Sequence, residues 1–492
     1  MNNIDFTKGK LFPSMIKFSL PLIMAIILQA LYGAVDLIVV GQFGSPASQA
    51  AVATGSHVMQ TLTGIITGFT MGITVIIGRL IGSKENGRIG NVIFDVVVMF
   101  GVFAVVITAV MMGMSTLFVK WLNVPSVATE QCVNYVLICS AGSVFIIAYN
   151  VISGIFRGMG NSNLPLVFIA IACIVNIVLD LVFVAGLKMD AVGAALATVI
   201  AQIISVICSL VVMRKKRAML GITKQNFKFD KNIAKSIVKI GTPIALQDGL
   251  TNMSFLIIHS FINAMGVAEA AGVGIAEKLF VILSIVPMAF LSTLATVVSQ
   301  NDGAGLHKRT NIALVEGICI SFVFGLATFF FTYFGGDVLV RIFSQETEVI
   351  AKTVDYLKTS SFEYLIISIM FCMLGYFNGK GKSIFVMIQG LVSTFLFRIP
   401  LSYYFSQRPD ANMYMMGIPI PISALVALIM CIVYFIILHF MHVKNNKNVD
   451  KVNMIEENSD NIDEVNHNII NDEKEPVVKV VCSEQTNEQT YN

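Results

Sequence analysis

The chain has 492 residues, of which 56% are hydrophobic and only 13% charged, and its mean hydropathy is +0.79. That much apolar surface cannot be hidden in one soluble core, so a soluble globular protein is excluded and an all-α polytopic membrane protein is expected. The net charge of +3 hides a division, because residues 443–492 hold five lysines against eleven carboxylates, a net of −6, which leaves +9 on residues 1–442.

Twelve apolar spans are expected, at about 16–40, 51–78, 90–115, 129–155, 164–186, 190–213, 238–264, 272–298, 311–334, 350–376, 384–405 and 416–441. The first holds SLPLIMAIILQALYGAVDLIVV, too long for a cleavable signal and closely followed by the next span, so it reads as the first helix itself. A carboxylate deep in such a run costs a few kcal/mol even on lenient insertion scales. Asp36 therefore needs a reason, and Tyr32 and Gln29 share its helical face at i−4 and i−7, a polar stripe that looks inward. In the second span Gly64, Gly68 and Gly72 form a doubled GxxxG, which fits either close packing inside the bundle or a dimer face.

Trp121, the only tryptophan, falls at the outer headgroup level. The fifth span puts Asn176 and Asp180 on one face at i, i+4, and the sixth does the same with Thr198 and Gln202. On the seventh span Asp248, Asn252 and His259 make a second polar stripe, candidates for substrate contact together with Glu277 and Lys278 on the eighth and Arg398 near the outer end of the eleventh.

An even number of spans puts both termini on one side. Lys and Arg crowd the loops of that side, from Lys8 and Lys10 through Arg79, Arg88, Arg157 and Lys308 to Lys444, whereas the opposite loops offer only Lys120, Lys188, Arg341 and Arg408. Positive loops stay inside, so both termini are expected in the cytoplasm. A shift of 221 to 222 positions overlays the two halves: Pro21 falls on Pro243, Gly44 on Gly266, Arg88 on Arg309, the tyrosine of 118–135 on that of 339–356, and RGMGNS (157–162) on NGKGKS (378–383). Two parallel six-span repeats follow, related by a pseudo-twofold axis along the membrane normal with a cleft between them. The expected organisation is an amino-terminal bundle over 1–213, a basic cytoplasmic linker over 214–237, a second bundle over 238–442 and a disordered cytoplasmic tail over 443–492.

The eight cysteines form no CxxC pair and read as small apolar residues. GKGKS at 379–383 ends like a P-loop, but the required glycine at 376 is Tyr376 and no strand precedes it, so nucleotide hydrolysis is not expected. HExxH and GxSxG motifs are absent from the sequence, and no catalytic residues or cofactor are assigned. The oxygen-bearing residues of the first half, Asp36, Asn176, Asp180 and Thr198, fall near mid-membrane by span arithmetic. They form a set able to hold Na⁺ or to share and release protons.

The opening SLPLIMAIILQALYGAVDLIVVGQFG, the loop GRLIGSKENGR, the turn IFRGMGNSNLP and the run NIVLDLVFVAGLKMDAVGAALAT, set in two six-span repeats, resemble the multidrug and toxic compound extrusion (MATE) family of transporters over residues 10–442. The resemblance implies a V-shaped twelve-helix fold and export of bulky, often cationic, apolar compounds in exchange for Na⁺ or H⁺. It carries the family's amino-terminal-lobe cation site onto Asp36, Asn176, Asp180 and Thr198, and makes Pro21 the proline at which the first helix bends. A glutamate and an aspartate found in the second lobe of some branches are replaced here by Thr251 and by an apolar residue near Ile367, so coupling through the first lobe is expected.

The expected function is secondary antiport by alternating access, with Gln29, Tyr32, Gln202, Asp248, Asn252 and His259 lining the substrate cleft. The protein should work as a monomer in the cell membrane on small molecules, without a nucleic-acid partner. A flippase for a lipid-linked sugar, expected to have a groove rich in Arg and Lys, and a polytopic membrane enzyme are the competing readings.

Overall fold

The computed structural model describes residues 3–122, 124–216, 221 and 228–441, and among them the regular elements are all helices. Among the described residues nine helices are individually long and apolar enough to cross a membrane, and two more spans are helix pairs bent at a short break. The twelfth is α8, Lys231–Asn263, long enough to cross but carrying Lys, Asp, Asn and Gln side chains that lower its hydropathy.

In chain order the first half is α1 (Leu11–Phe43), α2 (Pro46–Gly82), α3 (Ile89–Trp121), the pair α4 (Ser126–Ala141) and α5 (Ser143–Gly158), α6 (Asn163–Asp180) continued as a π-helix over Leu181–Gly186, and α7 (Asp190–Lys215). The second half is α8, the pair α9 (Val267–Leu283) and α10 (Ile285–Gly303), α11 (His307–Arg341), and α12 (Thr347–Ser360) followed by α13 (Phe362–Gly379). The eleventh span is α14 (Ser383–Leu391), a π-helix over Val392–Arg398 and α15 (Ile399–Ser406), and the last opens with α16 (Met413–Gly417) and runs to Met441. Residues up to Cys431 belong to one compact unit.

Every expected span is present, and almost every end lies a few residues further out, because the helices run on past the apolar stretch; three of the described helices start at a side-chain cap. Ser45 accepts from Ser48 N at 3.1 Å with Pro46 at the first helical position, and Asn412 accepts from Met415 N at 3.0 Å. Asp230 caps α8 by accepting from Asn232 N at 2.8 Å, while its own N–H donates to buried Asp95 of α3 at 3.0 Å. The linker is therefore shorter than 214–237: α7 runs to Lys215, and residues 231–237 are already the first turns of α8. Most of the remaining basic stretch, and the whole tail 443–492, lie outside the described residues.

The breaks were not expected. α4 and α5 meet at 47° around Gly142, and α9 and α10 at 45° around Ser284. Pro21 lies inside a continuous α1, where it lacks the N–H of the helical ladder.

The repeat reappears in local geometry. Tyr135 and Tyr356, aligned by the internal shift, are both buried. Gly160 and Gly381, fourth residues of the two aligned turns, both take the left-handed conformation, with φ of +77° and +65°. The halves meet where α2 packs against α8 and α10. A Cβ on Gly68 would lie 2.6 Å from Ala245 N, and one on Gly72 2.6 Å from the Ile237 carbonyl. Two of the three glycines of the doubled GxxxG thus pack closely on α8, and internal packing accounts for them. Large apolar side chains such as Val102, Val105, Ile174, Val323 and Leu396 stay exposed along the helices, as surfaces facing lipid require.

Candidate functional site

Asp36 stands on α1, Asn176 and Asp180 on α6, and Thr198 and Gln202 on α7, three helices that pack on one another. The i, i+4 spacings aim each pair at the same neighbour. All five side chains are buried, Asp180 and Asn176 completely. Thr198 Oγ1 donates to Asp36 Oδ2 at 3.2 Å, and the Tyr32 hydroxyl donates to the Thr198 carbonyl at 3.3 Å. Asp180 and Asn176 lie close enough to act on the Asp36 carboxyl.

What is missing inside the cluster is equally informative. Asp36 Oδ1, both carboxylate oxygens of Asp180, both polar atoms of Asn176 and the Gln202 amide oxygen are buried without a hydrogen-bond partner. Among the described residues no Lys, Arg or His is among the groups acting on either aspartate. Buried polar atoms in native proteins are nearly always satisfied, and buried carboxylates are paired or neutralised. The donor set of two carboxylates, an amide and a hydroxyl is of the hard-oxygen kind that suits a small cation or a shared proton.

Two details differ from the sequence reading. Asp36 is seven residues from the end of α1 at Phe43, and Asp180 six from Gly186, so the cluster sits roughly 10 Å below the helix ends rather than at mid-span. Asp180 is also the last residue before the π-helix, a widened turn that sequence periodicity does not announce and that is frequent at functional sites. Tyr32 and Gln202, expected in the substrate cleft, are placed beside this cluster. Buried Tyr135 and Cys139 of α4 also lie near enough to Asp36 to sense its charge, and were missed although their i, i+4 spacing was visible.

The remaining cleft candidates do not converge on the cluster. Gln29 is exposed on α1, and exposed Asn252 donates to the Asp248 carbonyl of its own helix at 3.0 Å, with Asp248 half-buried. His259 bonds Glu277 at 2.6 Å, and neighbouring Lys278 lines an open hollow of about 640 Å³ together with Leu37, Gln42 and Gln49 of the first half. Thr251 and Ile367 are as read, but a buried carboxylate stands one turn before Ile367: Glu363, near Arg398, whose guanidinium lies 4.5 Å over the Phe255 ring. The second half thus sets its buried acid near a cation, whereas the first does not. Among the described residues no three His, Cys, Asp or Glu side chains group as a metal site.

The fold and the duplicated half have known counterparts. The "Probable multidrug resistance protein YpnP" of Bacillus subtilis is 26% identical over 406 residues, covering 82% of this chain and 91% of that one. The "Multidrug export protein MepA" of Staphylococcus saprophyticus is 22% identical over 405 residues, 79% of this chain and 86% of the relative. A solved MOP superfamily transporter from Pyrococcus furiosus superposes with a TM-score of 0.83 at 22% identity, covering 88% of this chain and 97% of its own; a MATE structure described as straight scores 0.82 and one described as bent 0.80. The MatE family model matches twice, over residues 21–182 and 243–404, so that both ends of the match shift by 222 positions (21 to 243, 182 to 404), in step with the internal repeat. A chain matched over both its halves in this way belongs to the MatE family of membrane transporters.

Proposed function

We propose that the protein is a secondary antiporter that exports bulky apolar or cationic compounds, in keeping with the multidrug names of its relatives, and that the inward flow of Na⁺ or H⁺ at Asp36, Asn176, Asp180 and Thr198 drives it. The observation that carries this reading is the pair of buried aspartates with three partnerless carboxylate oxygens and no cation acting on them. Such a pair is tolerated in a membrane only when an ion or a proton neutralises its charge.

Coupling then follows from linkage. An ion drives a transport step only by binding one of two conformations better than the other. Asp36, Asp180 and Thr198 stand on three different helices, so a shift of α1 against α6 and α7 changes the coordination of the ion. The two halves are taken to alternate between openings on either face, with both termini in the cytoplasm. Export follows when the ion enters from outside and displaces the compound as the helices rearrange.

The test uses purified protein in sealed vesicles loaded with a fluorescent organic cation, with Na⁺ and H⁺ gradients imposed one at a time. The reading predicts substrate movement driven by at least one gradient and none without it. Equal movement with and without both gradients contradicts it.

A further inference from the structure

At the face from which the chain starts, the segment Ile4–Gly9 ahead of α1, which turns at Phe6 and Thr7, is tied to both halves. On the first half, Ile4 N donates to the Gly160 carbonyl at 3.0 Å, and Phe6, completely buried, sets its ring edge-on to Phe18 of α1 at 5.4 Å. Gly160 is held in its left-handed turn directly against the Ile4 carbonyl, where a Cβ would collide. On the second half, Phe6 N donates to Gln300 Oε1 of α10 at 3.2 Å. Arg309 of α11 gathers the next carbonyls with one nitrogen, Phe6 at 2.9 Å, Lys8 at 3.3 Å and Gly9 at 3.1 Å, and its Nε donates to Asn301 at 3.2 Å.

Gln300 makes this a three-way junction, because its Nε2 donates to the Gly158 carbonyl of the first half at 3.0 Å while its oxygen holds the strap. It is buried completely, so both bonds are made away from water, where losing either leaves an unsatisfied amide. Alongside, Arg79 of α2 reaches Asp302 of α10 at 3.4 Å, and Gly82 and Gly303 let α2 and α10 approach backbone to backbone. Opening this face means parting α2 from α10, and the strap cannot follow both.

We propose that Ile4–Gly9 is a strap that holds this face of the transporter closed, and that Gln300 and Arg309 are positioning residues for the conformational step. Its purpose rests on the alternating-access reading above, in which the strap must release Gly160, or Arg309 and Gln300, once per cycle. Charge-assisted bonds from one guanidinium to three carbonyls are suited to this, since they re-form as a unit when the face closes.

Hydrogen exchange on the intact protein in lipid nanodiscs tests the strap without any transport assay, so its outcome is independent of whether the substrate or ion is assigned correctly. Arg309→Ala, and separately Phe6→Ala, are expected to speed exchange at least tenfold in peptides covering 74–82 and 296–303, while peptides at the opposite ends of the spans, such as 37–53, keep their protection. Arg309→Lys, which retains the charge and fewer donors, is expected to fall between. Unchanged exchange at 74–82 and 296–303 in both alanine variants overturns the proposal, and so does an equal rise in all peptides, which marks general loss of stability.

Discussion

A carboxylate with an oxygen that no donor reaches is normally eliminated from a membrane interior, since removing it from water costs several kcal/mol. Asp36 keeps one bond, from Thr198 at 3.2 Å, and Asp180 none. In the proposed site the Thr198 hydroxyl has two tasks, to orient Asp36 and to offer an oxygen of its own. Thr198→Val keeps the shape of the side chain and removes both. A hydrogen bond to a charged group contributes about 1.5 kcal/mol or more, so the ion concentration for half-maximal transport should rise about tenfold, with the amount of inserted protein unchanged. Titrating transport against Na⁺ and against protons checks this, and an unaltered half-saturation for both would remove Thr198 from the site.

At the scale of elements, the glycines of α2 separate a packing seam from an open face. Gly72 has the Ile237 carbonyl 2.6 Å from where a Cβ would lie, whereas at Gly64 the nearest atom, on Asn252, is 4.0 Å away. Gly72→Ala should destabilise the protein by about 1–3 kcal/mol through overpacking, and Gly64→Ala should not. Thermal unfolding in detergent distinguishes them, and equal melting of the two variants would show that the α2–α8 approach does not limit stability. Spans of this kind were legible in the sequence because apolar length acts locally, whereas the caps Ser45 and Asp230, which set where α2 and α8 begin, were not read. The bends around Gly142 and Ser284 and the π-helix after Asp180 were not, since a helix breaks or widens where its neighbours press on it and its own periodicity stays the same. The same reason hid Glu363: it is an ordinary first-turn glutamate of α13 until the fold buries it near Arg398.

For the whole molecule, the two ends of the helices carry different devices. The aspartate cluster lies roughly 10 Å from the α1 end remote from where the chain begins, and the strap and the Arg79–Asp302 pair lie at the face where the chain begins. The internal repeat and the first-half residues of the cluster could be read directly, since both rest on spacing. The strap could not, because it joins residues some 300 positions apart in sequence, as Phe6 to Arg309. On the proposed reading, coupling is a property of this whole arrangement and is measured only across a sealed membrane. The most direct measurement is gradient-driven transport of a fluorescent cation by Asp36→Asn, reconstituted at the same density as wild type and shown to be folded by its melting temperature. The predicted result is loss of gradient-driven transport with substrate binding retained; transport by Asp36→Asn at the wild-type rate would contradict the assignment of the ion site.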